Sequence, residues 1–191
     1  ENQNISYVTA HGEGAFYGPK IDLHVKDAIG RRWQLSTIQV DFAQPDNFDL
    51  QFVDSNNKRV KPVMIHRALL GSIERFTGIL IENYAGEFPG WLSPVQVKIL
   101  TIGDVSNYLN KITKSLKGFR YEVDDRNLRL GEKLHDASKE KVPITIIVGE
   151  KDELSNTLAI NIRSQDNQQN VKYEDAIKQI KANLKTPIFK I

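Results

Sequence analysis

A cluster of glycine and proline within residues 86–94 divides this chain into two stretches with different secondary-structure patterns. Gly86, Pro89, Gly90 and Pro94 fall close together, a composition that ends helices and favours irregular connections. Short strand-like runs predominate before the cluster, whereas strand-like and helix-like runs alternate after it. The length of 191 residues allows one large domain or two small ones. The pattern therefore predicts one domain at residues 1–90 and another at residues 91–191.

The first stretch is predicted to form an antiparallel sheet followed by a helix, because the connections between its strand-like runs are short. These runs are residues 5–10, 21–25, 33–40, 48–53 and 59–65. Turn-forming residues 27–30 favour a hairpin. The apolar spacing of residues 69–80 predicts a helix that starts near His66, with Gly71 and Ser72 inside it.

The second stretch is predicted to form a small α/β domain with a mainly parallel sheet, because strands and helices alternate along it. The predicted strands are residues 95–102, 119–123, 144–148 and 158–162, and the predicted helices are residues 105–116, 130–137 and 173–184. The polar segment at residues 164–170 is predicted to be an exposed loop.

Composition excludes several classes of protein. The chain has no cysteine, which rules out a disulfide framework and leaves a zinc site to His, Asp, Glu or ligands from elsewhere. It has no apolar run long enough to span a membrane and no signal-peptide pattern at its start, so a cytoplasmic protein is expected. The net charge of +2 does not by itself indicate a nucleic-acid binder, and the basic stretch at residues 111–141 is equally consistent with a solvated helix face.

Three segments carry side chains suited to ligand binding. Residues 11–20 are rich in glycine and offer Tyr17 and Lys20, although the segment lacks the Walker pattern and is also consistent with an ordinary turn. On the third strand Thr37 and Gln39 share one face, which is either a pocket wall or a half-exposed surface. Gln34 is expected on the opposite face unless a bulge intervenes.

The third segment, residues 64–76, contains His66 at a predicted strand-to-helix junction. A lone histidine is more often structural than a metal ligand. Arg75 is either a surface charge paired with a carboxylate or a bidentate phosphate ligand.

Together these segments resemble the threonine–tRNA ligase family of class II aminoacyl-tRNA synthetases, in order and over nearly the whole chain. Residues 12–20 are similar to the glycine-rich substrate segment, residues 33–42 to the pocket strand and residues 63–76 to class II motif three. Residues 87–96 resemble the crossing into an anticodon-binding domain. The resemblance implies the C-terminal part of a class II catalytic domain with an antiparallel sheet, followed by an α/β anticodon-binding domain.

The resemblance also implies roles for individual residues. It assigns Arg75 and Lys20 to catalysis, Gln34, Thr37, Ser72 and Arg75 to ATP, Tyr17, Gln39 and Ala68 to threonine, His66 to zinc, and Asn127, Arg129, Asp152 and Arg163 to the anticodon. The implied ligands are threonine, Mg-ATP, zinc and tRNA(Thr), with a homodimer expected for the complete enzyme and no membrane partner.

Departures from the family pattern narrow this expectation. The other two zinc ligands, a Cys and a His, and class II motifs one and two are absent, and His11 and His24 do not stand at matching positions. The chain is therefore expected to be a fragment that neither retains zinc nor forms adenylate alone. Asn161 stands where the family has a basic residue that contacts a base.

Two other interpretations remain open at this point. One is a stand-alone tRNA-binding module derived from a synthetase, and the other is an α/β domain with no role in nucleic-acid binding. The first is disfavoured because Tyr17, Gln39, His66 and Arg75 all stand at matching positions, which a drifted binding module has no reason to retain.

Overall fold

The computed structural model describes residues 6–187. These residues form two compact units that meet between Asn83 and Tyr84, a few residues before the predicted domain boundary. In the described part of the chain, no helix is both long enough and apolar enough to cross a membrane.

The first unit contains a three-stranded sheet, a small hairpin and two helices. Its elements are β1 (Lys20–Lys26), β2 (Arg32–Asp41), α1 (Ala43–Asn47), β3 (Phe52–Val53), β4 (Arg59–Val60), β5 (Met64–Ala68) and α2 (Ile73–Asn83). The sheet has the order β1-β2-β5 with both pairings antiparallel, as the short connections predicted. Asp27 closes the β1–β2 hairpin, since its carboxylate accepts hydrogen bonds from the backbone N–H groups of Ile29 and Arg31.

Four secondary-structure predictions for this unit are wrong. The run at residues 59–65, predicted as one strand, is divided between β4 and β5, which lie in different sheets. His66 lies inside β5, and α2 begins only at Ile73, because Gly71 takes a left-handed conformation (φ 69°) that ends the strand segment before the helix. Within the predicted strand at residues 5–10, residues 6–10 are irregular, and Ile5 lies outside the described residues. The run at residues 48–53 forms only the short β3 after helix α1.

The second unit is built on a five-stranded sheet with the order β10-β9-β8-β6-β7. Its elements are β6 (Val97–Ile102), α3 (Ser106–Ser115), β7 (Tyr121–Asp124), α4 (Leu130–Lys139), β8 (Ile144–Gly149), α5 (Glu150–Ser155), β9 (Thr157–Ile162), β10 (Gln168–Lys172) and α6 (Tyr173–Leu184). Side chains from the sheet, α3 and α6 form one continuous core, in which Ile99, Ile146 and Leu158 are fully buried.

The predicted α/β class of this unit is confirmed, but the sheet is mixed. β6 pairs in parallel with β7 and β8, whereas β8–β9 and β9–β10 are antiparallel. The predicted loop at residues 164–170 overlaps β10, because the polar residues Gln168 and Gln169 form an edge strand against β9. Polar edge strands of this kind lack the apolar alternation on which the prediction depended.

Candidate functional site

One face of the first unit's sheet collects most of the predicted site residues. Gln39 is the register partner of Lys20 on β1 and of His66 on β5. Directly opposed residues on neighbouring strands project to the same side of a sheet. Lys20, Gln39 and His66 therefore form a row across this face, although they are separated along the chain.

A second row lies beside the first. Thr37 is the register partner of Asp22 on β1 and of Ala68 on β5. The Thr37 hydroxyl donates to Oδ1 of Asp22 at 2.7 Å, and Nζ of Lys20 lies 2.7 Å from Oδ2 of the same carboxylate. Ala68 adds little bulk to the row, which leaves space above the sheet.

A β-bulge brings Gln34 onto the same face. Leu23 pairs with Ser36 but His24 pairs with Gln34, so Leu35 is an extra residue in β2. An extra residue reverses the in–out alternation, and Gln34 consequently shares a face with Thr37. The pKa of Asp22 reflects this arrangement. Burial acts to raise it, but hydrogen bonds from Lys20, Thr37 and Gln34 lower it below the usual value.

Tyr17 reaches the first row from the glycine-rich segment. Its hydroxyl donates to Oε1 of Gln39 at 2.6 Å, and its ring centroid lies 6.0 Å from that of His66 in an edge-on arrangement. Tyr17, Gln39 and His66, predicted from three separate segments, are thus brought together.

Gly18 allows this approach. A Cβ atom at Gly18 would lie 2.0 Å from the carbonyl oxygen of Val40, so only glycine fits there. Backbone hydrogen bonds from Val40 to Pro19 and from Phe42 to Tyr17, each 3.0 Å long, hold the segment along the end of β2. The glycine content of residues 11–20 therefore has a local cause in backbone-to-backbone contact.

Asp41 orients His66 and was missed by the sequence interpretation. Nε2 of His66 donates to Oδ2 of Asp41 at 2.7 Å, while Oδ1 accepts from the backbone N–H groups of Ala43 and Gln44, both at 2.9 Å. Asp41 is 1% exposed. Although burial opposes the shift, these hydrogen bonds hold its pKa below the usual range. The available signal was an acidic residue at the end of the polar strand.

The residues of this face do not by themselves form a metal site. Within residues 6–187, no group of three His, Cys, Asp or Glu side chains is arranged to hold a metal ion. His66 is the candidate ligand, and its Nδ1 has no hydrogen-bond partner in this part of the chain. A carboxylate that accepts from the second imidazole nitrogen is the usual support of a metal-binding histidine.

Arg75 and Ser72 lie at the start of α2. The backbone N–H of Arg75 donates to Oγ of Ser72 at 3.3 Å, so the hydroxyl caps the first turn of the helix. The Arg75 side chain is exposed and, among the described residues, makes no ion pair with a carboxylate. The surface ion-pair alternative therefore has no support here.

In the second unit, Asn127 and Arg129 are exposed in the loop between β7 and α4. Asp152 and Arg163 have structural partners instead. Oδ2 of Asp152 accepts from the backbone N–H of Gly149 at 3.0 Å, and the guanidinium of Arg163 donates to the carbonyl oxygens of Phe88, at 3.1 Å, and Lys141. Sequence reasoning did not foresee these bonds: that of Asp152 caps the start of α5, and those of Arg163 join separate segments.

Asn161 lies in β9 opposite Thr145 of β8. Both line a recess of about 190 Å³ beside α4, together with Ser138, Lys141 and Arg163. The position that departs from the family pattern is thus accessible to a small polar group.

Comparison with known proteins identifies both parts of the chain. Residues 1–84 match the family model described as tRNA synthetase class II core domain (G, H, P, S and T), and residues 96–183 match the anticodon binding domain. A threonine–tRNA ligase from Clostridium tetani is 51% identical over 168 residues, which are 86% of this chain and 26% of that protein. Its counterpart from Clostridium acetobutylicum is 45% identical over 191 residues, 98% of this chain and 30% of that protein.

A solved structure gives the same result for the fold. The crystal structure of the RNA binding domain of threonyl-tRNA synthetase from Cryptosporidium parvum Iowa II matches with a TM-score of 0.75 and 30% identity, over 90% of this chain and 44% of that chain. This chain spans only 26–30% of the length of the two curated relatives. The two family models and the identity over most of its residues show that the chain belongs to the threonine–tRNA ligase family of class II aminoacyl-tRNA synthetases.

Proposed function

We propose that this chain forms part of a threonine–tRNA ligase, which activates threonine with ATP and transfers it to tRNA(Thr). The first unit supplies one part of the active site, and the second unit reads the anticodon. The observation that carries the proposal is the meeting of Tyr17, Gln39 and His66 on one sheet face, where the Tyr17 hydroxyl lies 2.6 Å from Gln39.

The first row is the proposed threonine site. Tyr17 and Gln39 offer a hydroxyl and an amide to the polar groups of the amino acid, and Ala68 in the neighbouring row leaves room for it. His66, oriented by Asp41, contributes one ligand to a zinc ion whose other ligands lie outside this chain. When bound, zinc would coordinate the amino and hydroxyl groups of threonine. The site would then discriminate against valine, which lacks the hydroxyl group. The chain alone is not expected to hold zinc.

The second row and the start of α2 form the proposed Mg-ATP site. Gln34 and Thr37 lie beside the nucleotide, and Lys20, which is paired with Asp22, lies nearby on the same face. Ser72 orders the first turn of α2, from which the planar guanidinium of Arg75 binds phosphate. This arrangement is incomplete without residues from the rest of the enzyme, and the chain alone is not expected to form adenylate.

In the second unit, Asn127 and Arg129 are the principal proposed contacts to the anticodon. Asn127 offers a donor and an acceptor to a base edge, and Arg129 offers a charge to base or phosphate. Asp152, just past the end of β8, is proposed to contribute to the same RNA surface through the atoms that its structural bond leaves unused. Arg163 follows the end of β9, which lies beside the start of β8, and is proposed as a separate contact to the RNA. The complete enzyme is proposed to be a cytoplasmic homodimer, by analogy with its family.

Binding of a tRNA(Thr) anticodon stem-loop to the 191-residue chain tests this proposal. Asn127→Ala is expected to weaken binding by about 5- to 150-fold, the effect of losing one base contact of about 1–3 kcal/mol. Arg129→Ala is expected to reduce the salt dependence of the affinity by about one counterion. Asn110→Ala, on the exposed face of α3, is the matched control.

The second unit has a hydrophobic core of its own. This observation favours one alternative function, a tRNA-binding module that takes no part in catalysis. ATP–pyrophosphate exchange discriminates between the enzyme and the module when this chain replaces the corresponding segment of a full-length relative. Loss of exchange on Arg75→Gln supports the enzyme, and unchanged exchange supports the module. Exchange by the 191-residue chain alone at a normal rate would contradict the proposed incompleteness of its active site.

A further inference from the structure

The loop that carries Asn127 and Arg129 is anchored by an ion-pair network at its base. Asp124, at the end of β7, is 4% exposed and accepts two hydrogen bonds from the guanidinium of Arg126, at 2.9 and 2.7 Å. The same guanidinium lies 2.8 Å from Oδ2 of Asp136 on α4. Arg126 thus joins the strand before the loop to the helix after it.

A buried lysine fixes the same region from inside. Lys133 of α4 is 2% exposed, and its Nζ donates to the carbonyl oxygens of Thr101 and Asp124, at 2.8 and 3.0 Å. These carbonyls lie at the ends of the neighbouring strands β6 and β7. A buried ammonium requires such partners, because an unpaired charge away from water is strongly unfavourable. Lys133 therefore ties both strand ends to α4.

The two ion pairs of Arg126 disfavour a role for it as a phosphate ligand, although its side chain is 51% exposed. Two carboxylates already neutralise its charge, and both of its strong contacts are directed toward the protein. A phosphate would have to compete with Asp124, whose pKa is held at about 2 chiefly by hydrogen bonds from Arg126. Arg129 lies five residues after Asp124, in the same loop. It has no carboxylate partner among the described residues.

We propose that Arg126 and Lys133 are positioning residues that hold the loop at residues 125–129 in its RNA-reading shape, while Asn127 and Arg129 make the contacts. This inference rests on the proposed anticodon-binding function. A loop ordered before binding does not lose conformational entropy when RNA arrives, and its contacts keep a fixed spacing. Base discrimination therefore depends on residues that do not touch the RNA.

The test compares Arg126→Gln with Arg126→Lys in the 191-residue chain, using the tRNA(Thr) anticodon stem-loop and a stem-loop with an altered anticodon. Arg126→Gln is expected to reduce the ratio of the two affinities by about tenfold, the effect of leaving one loop residue unordered. The dependence of affinity on salt is expected to stay unchanged. Arg126→Lys, which keeps the charge but not the planar fork, is expected to restore only part of the discrimination.

Two further measurements separate positioning from contact. In the Asn127→Ala background, Arg126→Gln is expected to have little additional effect, because both changes remove the same base contact. Amide hydrogen exchange of residues 125–129 in the RNA-free chain is expected to accelerate in Arg126→Gln. Lys133→Met is a second variant, which removes the hydrogen bonds from α4 to the ends of β6 and β7. Thermal unfolding checks that this variant is folded.

A salt dependence reduced by about one counterion, with both RNAs weakened equally, would show that Arg126 binds phosphate and would overturn the inference. Unchanged discrimination in both Arg126→Gln and Lys133→Met would also overturn it. If Asn127→Ala and Arg129→Ala themselves leave binding unchanged, the proposed anticodon function has failed, which is a distinct result.

Discussion

The two units of this chain differ in how their polar sites are supported. In the second unit a continuous apolar core lies against the sheet, with Ile99 and Ile146 fully buried. In the first unit the apolar sheet face is open, and Ile21 and Ile65 are 65% and 64% exposed. The polar face of the first unit is therefore organised by strand register and hydrogen bonds, whereas the loop at residues 125–129, proposed to bind RNA, follows a strand of the packed second unit.

The largest expected effect is on this core. Ile146→Ala should destabilise the second unit by about 2–5 kcal/mol, because it leaves a cavity among fully buried neighbours. Ile65→Ala, a similar truncation on the open face of the first unit, should change stability by less than about 0.5 kcal/mol. Urea unfolding followed by far-UV circular dichroism measures both. Equal losses would remove the proposed difference between the units.

Two glycines offer a comparison with opposite signs. Gly18→Ala should destabilise the first unit by about 1–3 kcal/mol, because the added methyl group meets the carbonyl oxygen of Val40. Gly131→Ala, in α4 with open space around it, should stabilise the second unit by about 0.5–1 kcal/mol. Fluorescence of Trp33 in a Trp91→Phe background follows the first unit alone. If Gly18→Ala leaves the stability unchanged, the backbone of β2 at Val40 moves away from the added methyl group at little cost.

Both units contain a carboxylate that resists protonation. Hydrogen bonds from Arg126 hold the pKa of Asp124 at about 2, and those from Trp33 and Arg31, against the effect of burial, hold the pKa of Asp27 at about 2. A lowered folded-state pKa stabilises the fold fully above the unfolded value near 3.8, and this contribution is lost as the pH falls through about 2.

Acid titration should therefore separate the units. Asp124→Asn should flatten the loss of stability of the second unit between pH 5 and pH 2, and Asp27→Asn should flatten that of the first. Unfolding free energies at several pH values, followed by Trp91 and Trp33 respectively, measure the two slopes. A single substitution that flattens both would mean that the units unfold as one.

The smallest expected effect concerns the hydrogen bond between Tyr17 and Gln39. Tyr17→Phe should destabilise the first unit by about 0.5–1.5 kcal/mol, because Oε1 of Gln39 loses its donor. Tyr7→Phe, at a residue that is 85% exposed, is the control and should have no measurable effect. If the two variants behave alike in Trp33 fluorescence, this bond does not organise the face.

Local patterns predicted much of the fold. The turn chemistry of Asp27 and the alternation after it predicted the β1–β2 hairpin, and the apolar run at residues 144–148 predicted β8. Predictions failed where local signals conflicted with pairing. The helix was predicted to start near His66 because the apolar spacing after it is helical, but pairing with Gln39 keeps His66 in β5. β10 was missed because an edge strand needs no apolar face.

The sequence by itself determined the order of the motifs, the division into two parts and the family, because these depend on residue types and their spacing along the chain. Only the tertiary structure decided which side chains meet. The bulge at Leu35 turned Gln34 toward Thr37, Asp41 became the partner of His66, and Arg126 became the partner of Asp124 and Asp136. These outcomes depend on strand register and on hydrogen bonds between distant segments, which a local pattern does not encode.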